Sequence, residues 1–117
     1  ARFLTLALES SNCGWLLDVT NLYINSRNHN FDPAEFLNRA PTEKIVQLHY
    51  VGFSTNAKGK LIDSHGTDVK PEIRSLLNQV IEKTPVKGAI LERDENLPNF
   101  EKIMGEIDFF WLFARTF

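Results

Sequence analysis

Ile45-Val46-Gln47-Leu48-His49-Tyr50-Val51, closed by Gly52, is β-branched and largely apolar, and it reads as a strand buried on both faces. Upstream, Trp15-Leu16-Leu17-Asp18-Val19 has the same character, broken by one carboxylate; downstream, Gly88-Ala89-Ile90-Leu91-Glu92 repeats it. Helical patterns lie between these runs. Asp32-Pro33-Ala34-Glu35 has the form of a capping box with proline at the first helical position, continued by Phe36, Leu37 and Ala40 and stopped at Pro41. Pro71 opens the clearest helix, whose Ile73, Leu76, Leu77, Val80 and Ile81 share one face, and Pro85 ends it. Phe3, Leu4, Ala7 and Leu8 predict an earlier helix finishing near Gly14, and a last helix is expected from Leu97 to Gly105. Strands alternating with helices predict an α/β fold, a parallel sheet with crossover helices. No G-x-G-x-x-G or G-x-x-x-x-G-K phosphate loop follows the first strand. A (β/α)8 barrel takes about 250 residues, so this chain could supply somewhat under half of one.

The length of 117 residues allows one domain, and 43% hydrophobic with 24% charged residues is ordinary globular usage. Thirteen basic against fifteen acidic side chains give a net charge of −2, with no basic run or basic-aromatic interleaving, so nucleic acid is not an expected partner. Cys13 is the sole cysteine, which excludes an internal disulfide and a thiolate-rich zinc cluster and fits a reducing, cytoplasmic setting. The longest apolar run, Phe109 to Ala114, falls far short of the roughly 20 residues of a membrane span. The chain begins at Ala1, in what reads as the middle of a helix, which suggests an N-terminal truncation. Residues 1–117 are thus expected to form a single partial domain with an apolar tail at 107–117, whose Phe109-Phe110-Trp111-Leu112-Phe113 should pack on the domain or on a partner.

Each of the three strands carries a metal-capable side chain near its C-terminal end: Asp18, His49 and Glu92. In parallel α/β folds the site lies at those strand ends, and a charge inside an apolar run is costly unless paired or metal-bound. Alternation places Leu16, Gln47 and Ile90 on the same faces, one layer below. Asp63 and His65 stand two apart, so in an extended Leu61-Ile62-Asp63-Ser64-His65-Gly66 both would point the same way. Three carboxylates and two imidazoles form an oxygen and nitrogen donor set suited to Fe, Mn or Zn, and ligand type alone does not choose among them. Taken singly, such residues are more often helix caps or core histidines; their convergence on three strands favours a common site. His29, in a loop before a helix, could hydrogen-bond a substrate or face solvent, the second being the favoured reading, and Lys58 and Lys60 read as solvated loop charges.

These residues resemble a known family, the multinuclear non-haem iron-dependent oxidative enzymes, of the methanobactin-biosynthesis-oxygenase type. The resemblance runs through Gly14-Trp15-Leu16-Leu17-Asp18-Val19-Thr20-Asn21-Leu22-Tyr23, Asn28-His29-Asn30-Phe31-Asp32-Pro33, Gln47-Leu48-His49, Ile62-Asp63-Ser64-His65-Gly66 and Leu91-Glu92-Arg93-Asp94. It covers the chain as far as about residue 106. The resemblance implies the C-terminal part of a xylose-isomerase-like TIM barrel holding two or three iron ions. Such an enzyme uses dioxygen to modify residues, often cysteine, of a ribosomally made precursor peptide that a partner protein commonly delivers. By motif, Asp18, His49, Asp63, His65 and Glu92 fall at metal-ligand positions, and Asn21 at a further one. Thr20 stands where many relatives have a second asparagine. The first half of the barrel, with two histidines and a glutamate, has no counterpart in this chain.

An excised three-stranded segment exposes strand edges and an apolar sheet face, so pairing with the missing N-terminal half or with a second copy is expected. The leading functional reading is therefore the C-terminal part of an iron-dependent peptide-modifying oxidase, in which no protein nucleophile is required. A divalent-metal sugar isomerase or a phosphodiesterase on a related barrel uses similar ligands without redox chemistry. A non-catalytic fragment or interaction module is the rival from another class.

Overall fold

The computed structural model describes residues 1–114, with side chains as far as Phe109. In chain order the elements are α1 (Arg2–Ser11), β1 (Trp15–Asp18), α2 (Val19–Asn28), α3 (Pro33–Arg39), a 3-10 turn (Thr42–Lys44), β2 (Ile45–Tyr50), β3 (Ser54–Thr55), β4 (Leu61–Ile62), α4 (Pro71–Lys83), β5 (Gly88–Leu91) and α5 (Phe100–Ala114). β1, β2 and β5 form one parallel sheet with β2 at its centre, and β3 and β4 form a separate antiparallel hairpin. The fold is α/β with parallel strands and crossover helices, the arrangement of part of a (β/α)8 barrel.

Register decides which residues meet. Asp18 lies opposite His49, His49 opposite Ile90, and Tyr50 opposite Leu91. Between Trp15 and Leu16 the partner on β2 jumps from Ile45 to Gln47, so Val46 is the extra residue of a bulge. The bulge lets Ile45 share a face with Leu48 and Tyr50, all three buried. That face, with Trp15 and Leu17, packs against Leu22 and Ile24 of α2, Leu37 of α3 and the Ile73, Leu76, Leu77, Val80 and Ile81 stripe of α4. The opposite face is open: Leu16 is 45% exposed and Ile90 44%. The strands are therefore covered on one side only, not on both as their apolar runs predict. Their composition suits a face that other strands or side chains would fill.

The helix after β1 was not legible in the sequence. Val19, Thr20, Leu22, Ile24 and Ser26 are its buried positions, an almost strand-like alternation built from β-branched and polar residues of poor helix propensity. Two tertiary features override that propensity. Asp18 caps the helix, its carboxylate accepting from the Asn21 amide at 2.8 Å. The fully buried Thr20 hydroxyl donates to the Val51 carbonyl at 2.8 Å and accepts from the Val51 amide at 2.9 Å. Val51 has just left β2, so this one hydroxyl closes both of its backbone groups inside the core.

Other boundaries shift for local reasons. α1 is capped by Asn12 in the left-handed region (φ 53), not by Gly14. A Cβ on Gly14 would instead lie 2.8 Å from a Val46 methyl, so that glycine lets the bulge approach. α3 has its predicted Asp32 cap, but Glu35 pairs with Arg39 one turn on. α5 starts at Phe100, later than periodicity predicts, and runs through Gly105. Its Glu106 is buried and accepts from the Val69 amide at 2.7 Å, and its backbone carbonyl takes the Tyr50 hydroxyl at 3.3 Å. Burial, then the nearby Glu106 charge, push the Tyr50 pKa up to about 12 against the opposing pull of Arg74, so its hydroxyl stays a donor. The Arg74 guanidinium lies 4.6 Å over the Phe109 ring; the expected packing of Phe110 to Phe113 lies outside the described side chains.

Thr20→Val, near-isosteric, should destabilise the chain by roughly 2–4 kcal/mol in urea unfolding because it strands two buried backbone groups, whereas Thr20→Ser should cost about 1 kcal/mol. Asp68, on the surface, contacts Lys102 at 2.5 Å and Arg93 at 2.6 Å, and the hydrogen bonds from Lys102 and Arg93 hold its carboxyl below the ordinary aspartate value. The folded state then releases that proton more readily than the unfolded one, so the stabilisation is present above the ordinary aspartate pKa and is lost as pH falls through the folded value. Thermal unfolding between pH 5 and roughly pH 2 should show an acid loss that Asp68→Asn removes and that high salt reduces.

Candidate functional site

The six residues singled out in the sequence lie together, each half-buried, at the C-terminal ends of the parallel strands. Asp18 and His49 are register partners on β1 and β2. Glu92 follows β5, its amide still in the ladder through the Tyr50 carbonyl at 3.0 Å, and its carboxylate reaches His49 Nδ1 at 2.6 Å. This pair spans two neighbouring strands on the open face of the sheet.

The second group arrives from the hairpin. Asn28, at the end of α2, grips β4 as a strand would: its amide nitrogen donates to the Leu61 carbonyl at 2.9 Å and its oxygen accepts from the Leu61 amide at 3.0 Å. That docking delivers Asp63 to the site. Asn21 then bridges, its single side-chain nitrogen lying 3.0 Å from Asp18 Oδ2 and 3.0 Å from Asp63 Oδ2. His65 Nε2 lies 3.0 Å from Asp63 Oδ1, and His65 Nδ1 lies 3.5 Å from Asp94. The segment is not the extended piece that its spacing predicts. β4 stops at Ile62 and His65 adopts φ 53, which folds its ring back onto Asp63. The two side chains still meet, through a turn rather than through strand alternation.

The electrostatics follow from this crowding. Four carboxylates, of Asp18, Asp63, Glu92 and Asp94, surround the two imidazoles of His49 and His65. Desolvation alone would lower the His65 pKa, but the hydrogen bond and charge of Asp63, with the charges of Asp94 and Glu92, outweigh it and hold it above the ordinary value. Asp63 Oδ1 is buried, and the partner beside it is the His65 ring, whose Nε2 stands 3.0 Å away. The hard-oxygen and imidazole donor set suits Fe, Mn or Zn. Among the described residues, however, no three His, Cys, Asp or Glu side chains close around one point; the donors stand as pairs.

Two participants were not identified as site residues from the sequence. Asn28 and Asp94 lie within motifs that were recognised, yet nothing in their spacing shows that one docks β4 and the other approaches His65. His29, Lys58 and Lys60 are exposed, as expected, and Asn56 organises the hairpin turn by accepting from the Lys58 and Lys60 amides at 2.9 and 3.0 Å. No helix among the described residues is long and apolar enough to cross a membrane.

A family model described as RiPP precursor modification enzyme MbnB/TglH/ChrH matches residues 1–111. The UPF0276 protein of Shewanella oneidensis is 42% identical over 106 residues, covering 91% of this chain and 38% of the relative. Those of Shewanella sediminis and Nitrosospira multiformis are each 39% identical, over 92% and 90% of this chain and 38% and 37% of their own lengths. The chain thus spans somewhat over a third of the curated relatives it matches, and by residues 1–111 it belongs to the MbnB/TglH/ChrH family of RiPP precursor modification enzymes.

Proposed function

We propose that this chain supplies part of a multinuclear iron site in an enzyme that oxidatively modifies residues of a ribosomally made precursor peptide. The observation that carries the reading is the gathering of Asp18, Asn21, His49, Asp63, His65 and Glu92 from four separate segments at one edge of the parallel sheet, joined as carboxylate–imidazole and carboxylate–amide contacts. Asp18, His49, Asp63, His65 and Glu92 would hold the metal. Asn21, whose amide nitrogen faces two carboxylates, holds Asp18 and Asp63 at a fixed separation and is available as a further ligand through its oxygen. Two or three iron ions, when bound, supply the redox chemistry that couples dioxygen to oxidation of the peptide.

The chain's own residues have definable tasks. Glu92 fixes the orientation of the His49 ring through Nδ1 and leaves Nε2 as its other coordinating position. The Thr20 anchor holds the β2 exit next to the Asp18 cap, so the first two strand ends cannot slide apart. The open apolar face carrying Leu16 and Ile90 lies directly beneath the site, where the remaining strands of a closed TIM barrel would cover it and contribute the donors that complete each pair. We propose that this cover comes from the rest of the barrel or, failing that, from a second copy, and that a partner protein presents the precursor peptide at the strand ends. A cytoplasmic setting belongs to the same reading, since Cys13 is a free, exposed thiol.

Absence of a closed three-donor group among the described residues is what a non-catalytic module would also show, so metal binding is the deciding measurement. With the rest of the barrel supplied, anaerobic titration with Fe(II) should show binding, weakened about tenfold or more by His49→Ala or Asp63→Asn, and dioxygen should be consumed when precursor peptide is added. Binding without dioxygen consumption would favour isomerase or phosphodiesterase chemistry. No binding, or binding indifferent to both substitutions, would leave the interaction module.

A further inference from the structure

The loop after β5 and the loop before α4 are joined by contacts that the proposed metal site does not itself use. Two successive amides, of Asp94 and Glu95, donate to the His65 carbonyl at 3.2 and 3.3 Å, and the Asn96 side chain donates to the Gly66 carbonyl at 3.3 Å. Beneath them lies Arg93, its side chain only 7% exposed. Its Nη1 donates to Asp68 at 2.6 Å and its Nη2 to the Asn96 carbonyl at 2.8 Å. Nη1 also stands 3.8 Å from Glu106 Oε2, a buried oxygen with no hydrogen bond of its own. One guanidinium therefore connects the His65 loop, the Glu92 loop and α5.

We propose that Arg93 is a positioning residue for the site: its guanidinium latches the loop after β5 onto the loop before α4 and so fixes His65 opposite Asp63 and Glu92. Its functional consequence rests on the metal-site reading above. Two features require such a latch. His65 and Asn96 are both non-glycine residues in the left-handed region, at φ 53 and φ 47; asparagine enters it readily, whereas for the larger histidine surrounding contacts help to hold it. Each also bonds to the other loop, the His65 carbonyl to the Asp94 and Glu95 amides and the Asn96 side chain to the Gly66 carbonyl, so what holds one loop holds the turn of the other. A planar fork donating to Asp68 and to a carbonyl while facing Glu106 can do this; a lysine ammonium would keep the charge and lose the geometry.

Amide hydrogen exchange tests the latch without any metal. In Arg93→Lys, protection of the Asp94 and Glu95 amides should fall at least about tenfold, while the Glu92 amide, bonded to Tyr50 in the sheet, keeps its protection. Should Arg93→Lys not fold, Asp68→Asn removes the exposed partner and should give the same local loss. Unchanged protection at Asp94 and Glu95, or an equal loss at Glu92, overturns the proposal. Fe(II) affinity of Arg93→Lys should drop about tenfold, and an undiminished affinity in a variant with released loops overturns the link to the site. If the unaltered chain binds no Fe(II), the metal reading fails by itself, and exchange still decides the latch.

Discussion

The parallel pairing of β1, β2 and β5 is the constraint from which the site follows. Parallel strands end on the same edge, so the last residues of three segments far apart in sequence must emerge side by side. Asp18 faces His49 because β1 and β2 share a register, and Glu92 reaches His49 because β5 stays in the ladder one residue past its last strand position. A slip of one residue would turn Asp18 or His49 toward the helices, into a packed apolar layer where an ionised group is costly. The Val46 bulge contributes to that fidelity by letting Ile45 face the same core as Leu48.

The connecting segments convert an edge into a site. Asp18 has two duties, capping α2 with one oxygen and facing the Asn21 side chain with the other. Asn28 pairs with the backbone of β4 and brings Asp63 within reach of Asn21. His65 is held by its carbonyl as well as by its ring, which explains how a non-glycine residue keeps a left-handed backbone. The result is an excess of carboxylates over imidazoles at one edge of the sheet. The carboxylates and imidazoles stand in pairs, His49 with Glu92 and His65 with Asp63 and Asp94.

The open sheet face goes together with the chain's partial span of its relatives. The chain matches somewhat over a third of its curated relatives' length, and its sheet presents apolar side chains where those of a closed barrel would interdigitate.

By itself, the sequence determined the secondary-structure alternation, the α4 stripe, the Asp32 cap and the placing of Asp18, His49 and Glu92 at strand ends, because local periodicity and punctuation are written in neighbouring residues. Only the tertiary structure decided that Val19–Asn28 is a helix, since its residues are poor helix formers and the forces that fix it come from Asp18 and from Val51, far along the chain. It likewise decided that one face of the sheet is bare and that Asp63 meets His65 through a turn. Asn28, Arg93 and Asp94 act through partners many positions away, and such contacts leave no periodic trace for a one-dimensional reading to find.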